Sequence, residues 1–267
     1  MSAGEQTDSI PPAWQLLERA AAKNLFDYVQ AFRLATTDVL AAATDCAGGI
    51  AAYTGAGSPL TTIKGAGPDL SDDALDQAEA FFRKCNSPCV VFELAPWITP
   101  AAVERLTRRQ YQVRAVEHVM LLDAPFKIPE PQSGIRILNA AEWADLVFRG
   151  FEAADTPVWH HLAEASALLP EAANLGVWGT SADACIACAQ MVPAAGVAIF
   201  SCDATLPTAR GKGAQTALIR ERLRLASAIG ATCAAAEVAP DGISERNYLR
   251  CGFRLAYSRK HYVRNLG

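Results

Sequence analysis

Apolar residues recur at helical spacing in the stretch from 214 to 230. The apolar positions follow three- and four-residue steps, at Leu218, Ile219, Leu223, Ala226 and Ile229. This period predicts an amphipathic helix, and Gly230 stands where a helix-ending glycine belongs. Mainly off the apolar stripe lie three basic residues, Arg220, Arg222 and Arg224.

The pattern around this helix predicts a mixed sheet. Strands are expected near 135–138, 174–179, 184–192, 196–206, 233–239 and 253–264. Helices are expected near 140–152, 157–169 and 243–250, and Asn139 suits the N-cap of the first of them. Because several consecutive strands precede the long helix, we expect an α+β arrangement rather than a run of βαβ units.

Part of this pattern occurs twice. Residues 89–96 read CVVFELAP and residues 233–240 read CAAAEVAP. Each segment follows a helical pattern and precedes a short helix and a long strand. One repeat of this length predicts two domains of similar fold, at 1–122 and 135–267. The segment 123–134, rich in proline and polar residues, is the expected linker.

Composition sets limits on the kind of protein. The chain has 267 residues, of which 19% are charged, and this favours a folded globular protein. A net charge of −4 gives no global field for nucleic acid or an anionic membrane. No apolar run approaches the roughly 18–20 residues of a membrane span. The N-terminus lacks the basic and apolar regions of a signal peptide, so we expect a cytoplasmic protein.

The eight cysteines are expected to be reduced and buried, as in a cytosolic protein. Cys185 and Cys188 form a C-x-x-C, but their segment has a strand pattern, in which residues three apart point to opposite faces. Neither a second C-x-x-C nor a histidine pair with zinc spacing accompanies them. We therefore predict structural thiols and no metal.

The sequence RGKGAQ, residues 210–215, connects a strand to the helix from 214. A helix N-terminus presents unpaired N–H groups and the positive end of the helix dipole. Gly211 and Gly213 let the backbone approach a ligand, and Arg210 and Lys212 add positive charge. This combination predicts a phosphate site. The alternative is a glycine turn with solvated basic residues.

Two common phosphate motifs do not fit this turn. The Walker pattern G-x-x-x-x-G-K-S/T is absent from it. The dinucleotide fingerprint G-x-G-x-x-G would need a third glycine where Thr216 stands, and it prefers a βαβ unit. The phosphate must therefore belong to another kind of ligand.

The segment TLPTARGKGAQTALI resembles the pyrophosphate loop of the GNAT superfamily of acyl-CoA-dependent N-acyltransferases. The match rests on Arg210, Gly213 and the strand end at Thr205–Pro207. The segment RNYLRCGFRLAY resembles a later part of the same family, with Gly252 and Phe253 opening the last strand. The resemblance covers 135–267 in element order. Through the repeat, it implies two tandem GNAT-like domains, each with a mixed, mostly antiparallel central sheet flanked by helices.

The resemblance implies direct attack of a small amine on the thioester of acetyl-CoA or another acyl-CoA, without a metal. The implied pyrophosphate contacts are Arg210, Gly211, Lys212, Gly213, Ala214, Gln215 and Thr216. The carbonyl and the pantetheine arm are implied to contact the backbone of Ala204, Thr205 and Leu206 and the side chain of Asn247. Gln215 departs from the small residue of the family, so its side chain must turn aside or take part.

Catalytic residues are less determined by the pattern. Tyr248 matches the family's acid for the leaving thiolate; alternatively, it packs on the short helix. Asp203, on the strand that leads into the turn, is a candidate base. Further candidates are Glu237, which Glu93 matches in the first half, and the adjacent His160 and His161. Deprotonation through water is equally possible.

The first half carries IKGAGPDLSDDAL where the second half has its turn. Asp69, Asp72 and Asp73 at the helix start stabilise the helix and repel a pyrophosphate, and Pro68 removes one N–H donor. We expect a degenerate, non-catalytic copy that shapes the substrate cleft. The leading hypothesis for the whole chain is an N-acyltransferase. The alternatives are a non-catalytic acyl-CoA-binding regulatory protein and a nucleotide-binding protein.

Overall fold

A computed structural model describes residues 12–127, 130–179 and 184–267. The helices in these residues are α1 (Pro12–Ala35), α2 (Asp72–Lys84), α3 (Pro100–Arg108), α4 (Ala140–Gly150), α5 (Pro157–Ala167), α6 (Ala214–Ala228) and α7 (Ile243–Arg250). The strands are β1 (Ala42–Cys46), β2 (Gly49–Tyr53), β3 (Thr62–Lys64), β4 (Cys89–Leu94), β5 (Gln112–Asp123), β6 (Ile135–Ile137), β7 (Ala173–Trp178), β8 (Cys185–Ala194), β9 (Val197–Thr205), β10 (Cys233–Val238) and β11 (Arg254–Asn265).

The elements predicted for the second half are present in the predicted order. Asn139 caps α4 in a capping box, in which its side chain accepts from the Glu142 N–H and the Glu142 carboxylate accepts from the Asn139 N–H. Gly230 follows α6 with a φ of 69°, the left-handed conformation expected after a helix end. Helix α1 was not predicted. The N-terminal residues 1–11, for which no signal peptide is expected, lie outside the described residues.

The strands form one sheet in the order β1-β2-β3-β4-β11-β5-β10-β9-β8-β7-β6. Most neighbours are antiparallel, and the parallel pairs among the described strands are β3 with β4 and β9 with β10. Helices flank this mostly antiparallel sheet. The α+β class predicted from the strand pattern is therefore confirmed.

The two halves of the chain exchange their last strands. Strand β5, from the first half, pairs with β10 of the second half, from Asp123 opposite Cys233 to His118 opposite Val238. Strand β11, from the second half, pairs with β4 of the first, from Lys260 opposite Leu94 to Asn265 opposite Cys89. The sheet is thus continuous across the repeat. The domain limits of 1–122 and 135–267 stay a prediction, and residues 128 and 129 of the predicted linker lie outside the described residues.

Helix α1 covers the junction between the halves. Its Leu17 packs in a cluster with Val119 of β5 and Ala235 of β10, and its Glu18 accepts a hydrogen bond from the Tyr257 hydroxyl of β11 at 2.5 Å. The same helix contacts β2 of the first half and α5 of the second. Of the described helices, none is long and apolar enough to cross a membrane.

The C-x-x-C differs from the sequence expectation. Cys185 and Cys188 are both free thiols, but they pack in the same apolar cluster, around Trp143, rather than on opposite faces. The register of β8 against β7 shifts between Ala187 and Cys185, and this irregularity breaks the regular alternation.

Candidate active site

The turn before α6 exposes its backbone. After a short 3-10 helix at Pro207–Ala209, Gly211 and Gly213 adopt φ angles of 77° and 82°, which favour glycine. A Cβ atom at either glycine would meet no atom within 4 Å, so both face open space. Gly213 is the N-cap of α6, and no side chain of the described residues caps this helix. The first N–H groups of α6 are therefore available to a ligand.

A cleft of about 560 Å³ opens at this turn, and we call it the turn cleft. It brings together nine of the predicted site residues, namely Asp203, Thr205, Arg210, Gly211, Gly213, Ala214, Gln215, Thr216 and Asn247. Four predicted residues are not among the described residues that line it: Ala204, Leu206, Lys212 and Tyr248. The cleft therefore unites the turn, the end of β9 and the start of α7.

The basic side chains of the turn hold its shape. Arg210 donates to the Glu152 carboxylate at 2.6 Å and to the Thr205 carbonyl at 3.2 Å. Lys212 donates to the Thr208 carbonyl at 3.1 Å. In this arrangement Arg210 ties the turn to the segment after α4, and the donors that point into the cleft are mainly backbone N–H groups.

The unexpected Gln215 turns aside from the helix start. Its amide nitrogen donates to the Ser244 hydroxyl at 2.9 Å, and its amide oxygen accepts from Asn247 at 2.7 Å. Gln215 therefore links α6 to α7 and leaves its own N–H unobstructed. Asn247, predicted to bind the pantetheine arm, lines the cleft while it holds Gln215 in place.

Strands β9 and β10 separate beside this cleft. Their parallel ladder ends with Phe200 opposite Ala236, earlier than the predicted separation at 204–206. The reason is a bulge in β9, where the pairing with β8 shifts and Cys202 takes a φ of 54°. The Leu206 N–H is bound to the Ile186 carbonyl at 2.9 Å, so Leu206 does not donate into the gap. Because backbone N–H groups alternate along a strand, the N–H of Thr205 points into the gap instead.

A buried network lies directly behind Asp203. One carboxylate oxygen forms an ion pair with Arg222, and the other accepts from the Tyr248 hydroxyl at 2.5 Å. Arg222 is fully buried, donates to the Gln190 carbonyl at 3.1 Å and lies 4.5 Å from the Phe200 ring centre. Asp203 is thus held with both oxygens occupied at the edge of the turn cleft.

Two features of this network were not evident from the sequence. Arg222 lies mainly off the apolar stripe of α6, but it points into the core, because Asp203 supplies its counter-charge. Tyr248 is also fully buried, and burial raises its pKa well above the ordinary value. In the resting protein the phenolic proton therefore stays on the Tyr248 oxygen, and the hydroxyl donates a hydrogen bond to Asp203.

The other predicted bases lie away from the turn. Glu237 accepts from Lys64 and from Arg259, each at 2.5 Å, inside the junction of the two halves. His160 contacts Asp155 at 2.8 Å and stacks on Phe148 at the surface. His161 lies 3.5 Å from Glu164 on the same helix. Neither histidine borders the turn cleft in the described residues.

The matching helix start in the first half is already occupied. The Ser71 hydroxyl caps α2 by accepting from the Ala74 N–H at 3.1 Å. Arg108 and Arg109 of the α3 end each bind Asp72 at 2.9 Å, and their hydrogen bonds lower the pKa of this carboxyl. A pyrophosphate at α2 would meet a cap and a fixed negative charge, and this supports the prediction of a degenerate copy.

Comparison with solved structures identifies the fold. The chain is similar to a GCN5-related N-acetyltransferase from Kribbella flavida, with a TM-score of 0.66 and 16% identity, over 92% of this chain and 96% of that one. It is also similar to a tandem GNAT protein from the clavulanic acid biosynthesis pathway, with a TM-score of 0.60 and 13% identity over 96% of each chain. The chain has a tandem GNAT fold.

Further comparisons set the extent of this likeness. A GCN5-related N-acetyltransferase from Sphaerobacter thermophilus has a TM-score of 0.55 and 15% identity, and the match covers 67% of this chain but only 60% of that protein. No family model and no curated protein matches the sequence. The GNAT fold agrees with the two predicted tandem copies and their mostly antiparallel sheets.

Proposed function

We propose that this protein is an N-acyltransferase that transfers an acyl group from acetyl-CoA, or another acyl-CoA, to the amine of a small molecule. The observation that carries the proposal is the turn cleft. There the uncapped start of α6, the open glycines of the turn and the separated edge of β9 face one space.

The turn supplies the coenzyme A pyrophosphate site in this proposal. Gly211 and Gly213 leave room for phosphate oxygens, and the N–H groups of Ala214, Gln215 and Thr216 lie at the positive end of the α6 dipole. Lys212, whose ammonium group donates to the neutral Thr208 carbonyl, adds local positive charge, whereas the Arg210 charge is paired with Glu152. The open glycines, the free N–H groups with the helix dipole, and Lys212 therefore favour an anion at one place.

The separated edge of β9 suits the amide-containing pantetheine arm. An extended amide chain binds an open strand edge through backbone hydrogen bonds, in the way that a peptide adds to a sheet. The arm would run from the turn past Thr205 and Asp203 to the bulge at Cys202. Beside Cys202 lies an apolar cavity of about 270 Å³, which offers space for the acyl group.

For the departing thiolate we retain Tyr248 as the proton source, with Asp203 as an intermediate. The phenol donates to Asp203, and Asp203 lines the turn cleft. A proton from Tyr248 would therefore reach the sulfur through the Asp203 carboxyl.

The first half, 1–122, has a supporting role in this proposal. We further propose a cytoplasmic location, without a metal, a nucleic acid or a membrane as partner.

Calorimetric titration and a thiol-release assay test the proposed function. We expect acetyl-CoA to bind and free coenzyme A to appear when primary amines are added. Binding without thiol release over a broad amine panel would instead favour an acyl-CoA-binding regulatory protein. If a nucleotide binds and no acyl-CoA does, the proposal is wrong.

A further inference from the structure

A second cavity lies where the two halves meet, and we call it the junction cavity. It has a volume of about 370 Å³ and lies between α1 and the sheet. Ser201 and Cys202 of β9 and Glu237 of β10 border it on one side, and Glu117 of β5 borders it on the other. Asp203, the next residue of β9, borders the turn cleft. Phe151 lines both spaces, so they adjoin beside the bulge, where the proposed thioester would lie.

Negative charge exceeds positive charge in the ion cluster beside the junction cavity. Glu117, Glu237, Lys64 and Arg259 line the cavity, and two further carboxylates, Glu18 and Glu93, contact the two cations from outside its lining. Arg259 is almost fully buried, whereas Glu117 and Glu237 keep side-chain exposures of 22% and 29%. His261 lies near Glu93, and burial lowers its pKa, so it adds no charge at neutral pH. A buried excess of negative charge is unfavourable unless a further cation joins it.

Asn24 adds a polar group that points to a missing ligand. This residue of α1 lines the junction cavity, and its amide oxygen is buried without a hydrogen-bond donor in the described residues. A buried acceptor without a donor is uncommon. An alkylammonium group in the cavity would supply both the missing charge and N–H donors to this oxygen.

The two glutamates that line the cavity differ in their partners. Glu237 lies 2.5 Å from both Lys64 and Arg259, whereas Glu117 has one cationic contact, to Arg259 at 3.2 Å. Burial and the nearby Glu237 charge raise the pKa of Glu117 to about 7. Burial opposes ionisation of Glu237 as well, but the Lys64 and Arg259 charges hold the pKa of Glu237 well below its usual range. When their environments move the pKa values of two neighbouring carboxyl groups apart in this way, the two groups can take different roles.

We propose that the junction cavity binds the acceptor as its ammonium ion and that Glu117 is the catalytic base that removes the proton. This inference rests on the proposed function and adds to it the base and the binding site of the amine. Glu117 belongs to the exchanged strand β5. The first half of the chain therefore contributes a catalytic residue to the site of the second half.

The proton transfers balance as follows. The ammonium nitrogen gives one proton to the Glu117 carboxylate, and the free amine attacks the thioester carbon, forming the C–N bond. Collapse of the tetrahedral intermediate breaks the C–S bond and releases the coenzyme A thiolate. The sulfur takes the proton that Tyr248 passes on through the Asp203 carboxyl, the second nitrogen proton restores the Tyr248 hydroxyl, and Glu117 returns its proton to solvent. The products are the amide and free coenzyme A thiol.

Glu117→Gln tests this assignment, because it removes the base and one negative charge while it keeps the shape. We would use 1,4-diaminobutane as the amine probe and compare this variant with Glu104→Gln, an exposed carboxylate of α3. The measurements are acetyl-CoA affinity, affinity of the acetyl-CoA complex for the diamine, and the pH profile of thiol release. Glu117→Asp, which keeps the carboxylate, serves as a rescue variant.

We expect Glu117→Gln to bind acetyl-CoA normally, to bind the diamine at least about tenfold more weakly and to lose about 100-fold in kcat. Wild-type kcat should rise with pH through an apparent pKa near that of Glu117, and this rise should be absent in Glu117→Gln and retained in Glu117→Asp. Failure of the wild type to bind acetyl-CoA would refute the proposed function itself. If the wild type binds acetyl-CoA, three results would overturn the role of Glu117. They are no diamine binding by the wild type, no rise of wild-type kcat with pH, and equal behaviour of Glu117→Gln and Glu104→Gln.

Discussion

Glu93 and Glu237, which occupy matching places in the repeat, bind the same ammonium group. The Lys64 nitrogen lies 3.1 Å from Glu93 and 2.5 Å from Glu237. Strands β4 and β10 therefore face one shared ion cluster, although they are separated by about 140 residues of sequence. This relationship supports the structural role that the repeat suggests for Glu237. It leaves Glu117, which has no such strong pairing, as the carboxylate free to react.

Gly213→Asp is expected to weaken acetyl-CoA binding by at least about 100-fold, which corresponds to about 2.7 kcal/mol. The substitution places bulk and negative charge at the uncapped start of α6. Calorimetric titration measures the effect. Gly57→Asp is the matched control, because Gly57 also has a positive φ, 78°, and a Cβ atom added there would meet no atom within 4 Å, but it lies in the first half. Equal affinities of the two variants would show that the turn does not hold the pyrophosphate.

One acyl-CoA molecule is expected to bind per chain. In the first half, Ser71 caps the matching helix start, and Asp72 is fixed there by two arginines. In the second half, the corresponding helix start has no side-chain cap in the described residues. A calorimetric stoichiometry of about one agrees with this difference. If the wild type instead bound two molecules and Gly213→Asp still bound one, the first half would contain a second site.

The turn, the repeat and the order of elements along the second half could be predicted from the sequence because each depends on local pattern. Gly211 and Gly213 mark backbone conformation, and the segments at 89–96 and 233–240 mark equivalent strands. The exchange of β5 and β11 depends on pairing over long distances, which local pattern does not encode. For that reason Glu117, on the exchanged strand, was not among the predicted site residues.

Arg222 is a second case in which local pattern is insufficient. A charged residue that lies mainly off an apolar stripe is normally exposed. Here the counter-charge of Asp203, on a strand that precedes the helix, makes burial favourable. The sequence contains both residues, but only the packing of α6 on β9 brings them together. The bulge that moves the strand separation from 204–206 to Phe200 is likewise a property of the assembled sheet.

Arg222→Leu is expected to destabilise the protein by about 3–5 kcal/mol, because it leaves the Asp203 charge without its buried partner. Urea unfolding measures this change. The control is Arg224→Leu, two residues further along α6, where the side chain is 39% exposed and pairs with Glu221 on the surface. We expect that variant to lose less than about 1 kcal/mol. Similar losses in both variants would contradict the buried network.

Tyr248→Phe is expected to reduce kcat by about 10–100-fold with little change in the KM for acetyl-CoA, because it removes the proton that Asp203 would pass to the thiolate. Thiol release as a function of pH measures the effect. Tyr111→Phe is a close control: Tyr111 is also buried and donates to a carboxylate, Glu79, at 3.4 Å, but lies in the first half. If both variants keep the wild-type kcat, Tyr248 has a structural role only.

Relative to the wild type, Glu117→Gln is expected to gain stability as the pH rises, although it loses activity. The folded-state pKa of Glu117 is about 7, raised from 4.5. The native protein therefore binds more protons than the unfolded chain between these values, and the contribution of Glu117 to stability falls as the pH rises through this window. The loss is complete above the folded-state pKa, and a pKa shift of this size corresponds to about 3 kcal/mol.

The glutamine variant lacks this loss, so its free energy of unfolding relative to wild type should increase between pH 5 and pH 8.5, by an amount of that order. Urea unfolding at several pH values measures the difference, with Glu104→Gln as the exposed control. A difference that is independent of pH would show that Glu117 titrates as an ordinary carboxyl. A gain in stability together with a loss of turnover is the pattern expected of a residue kept in an unfavourable environment for catalysis. The same variant therefore distinguishes a catalytic base from a residue that only forms a structural ion pair. Loss of a structural partner would lower both the free energy of unfolding and the turnover.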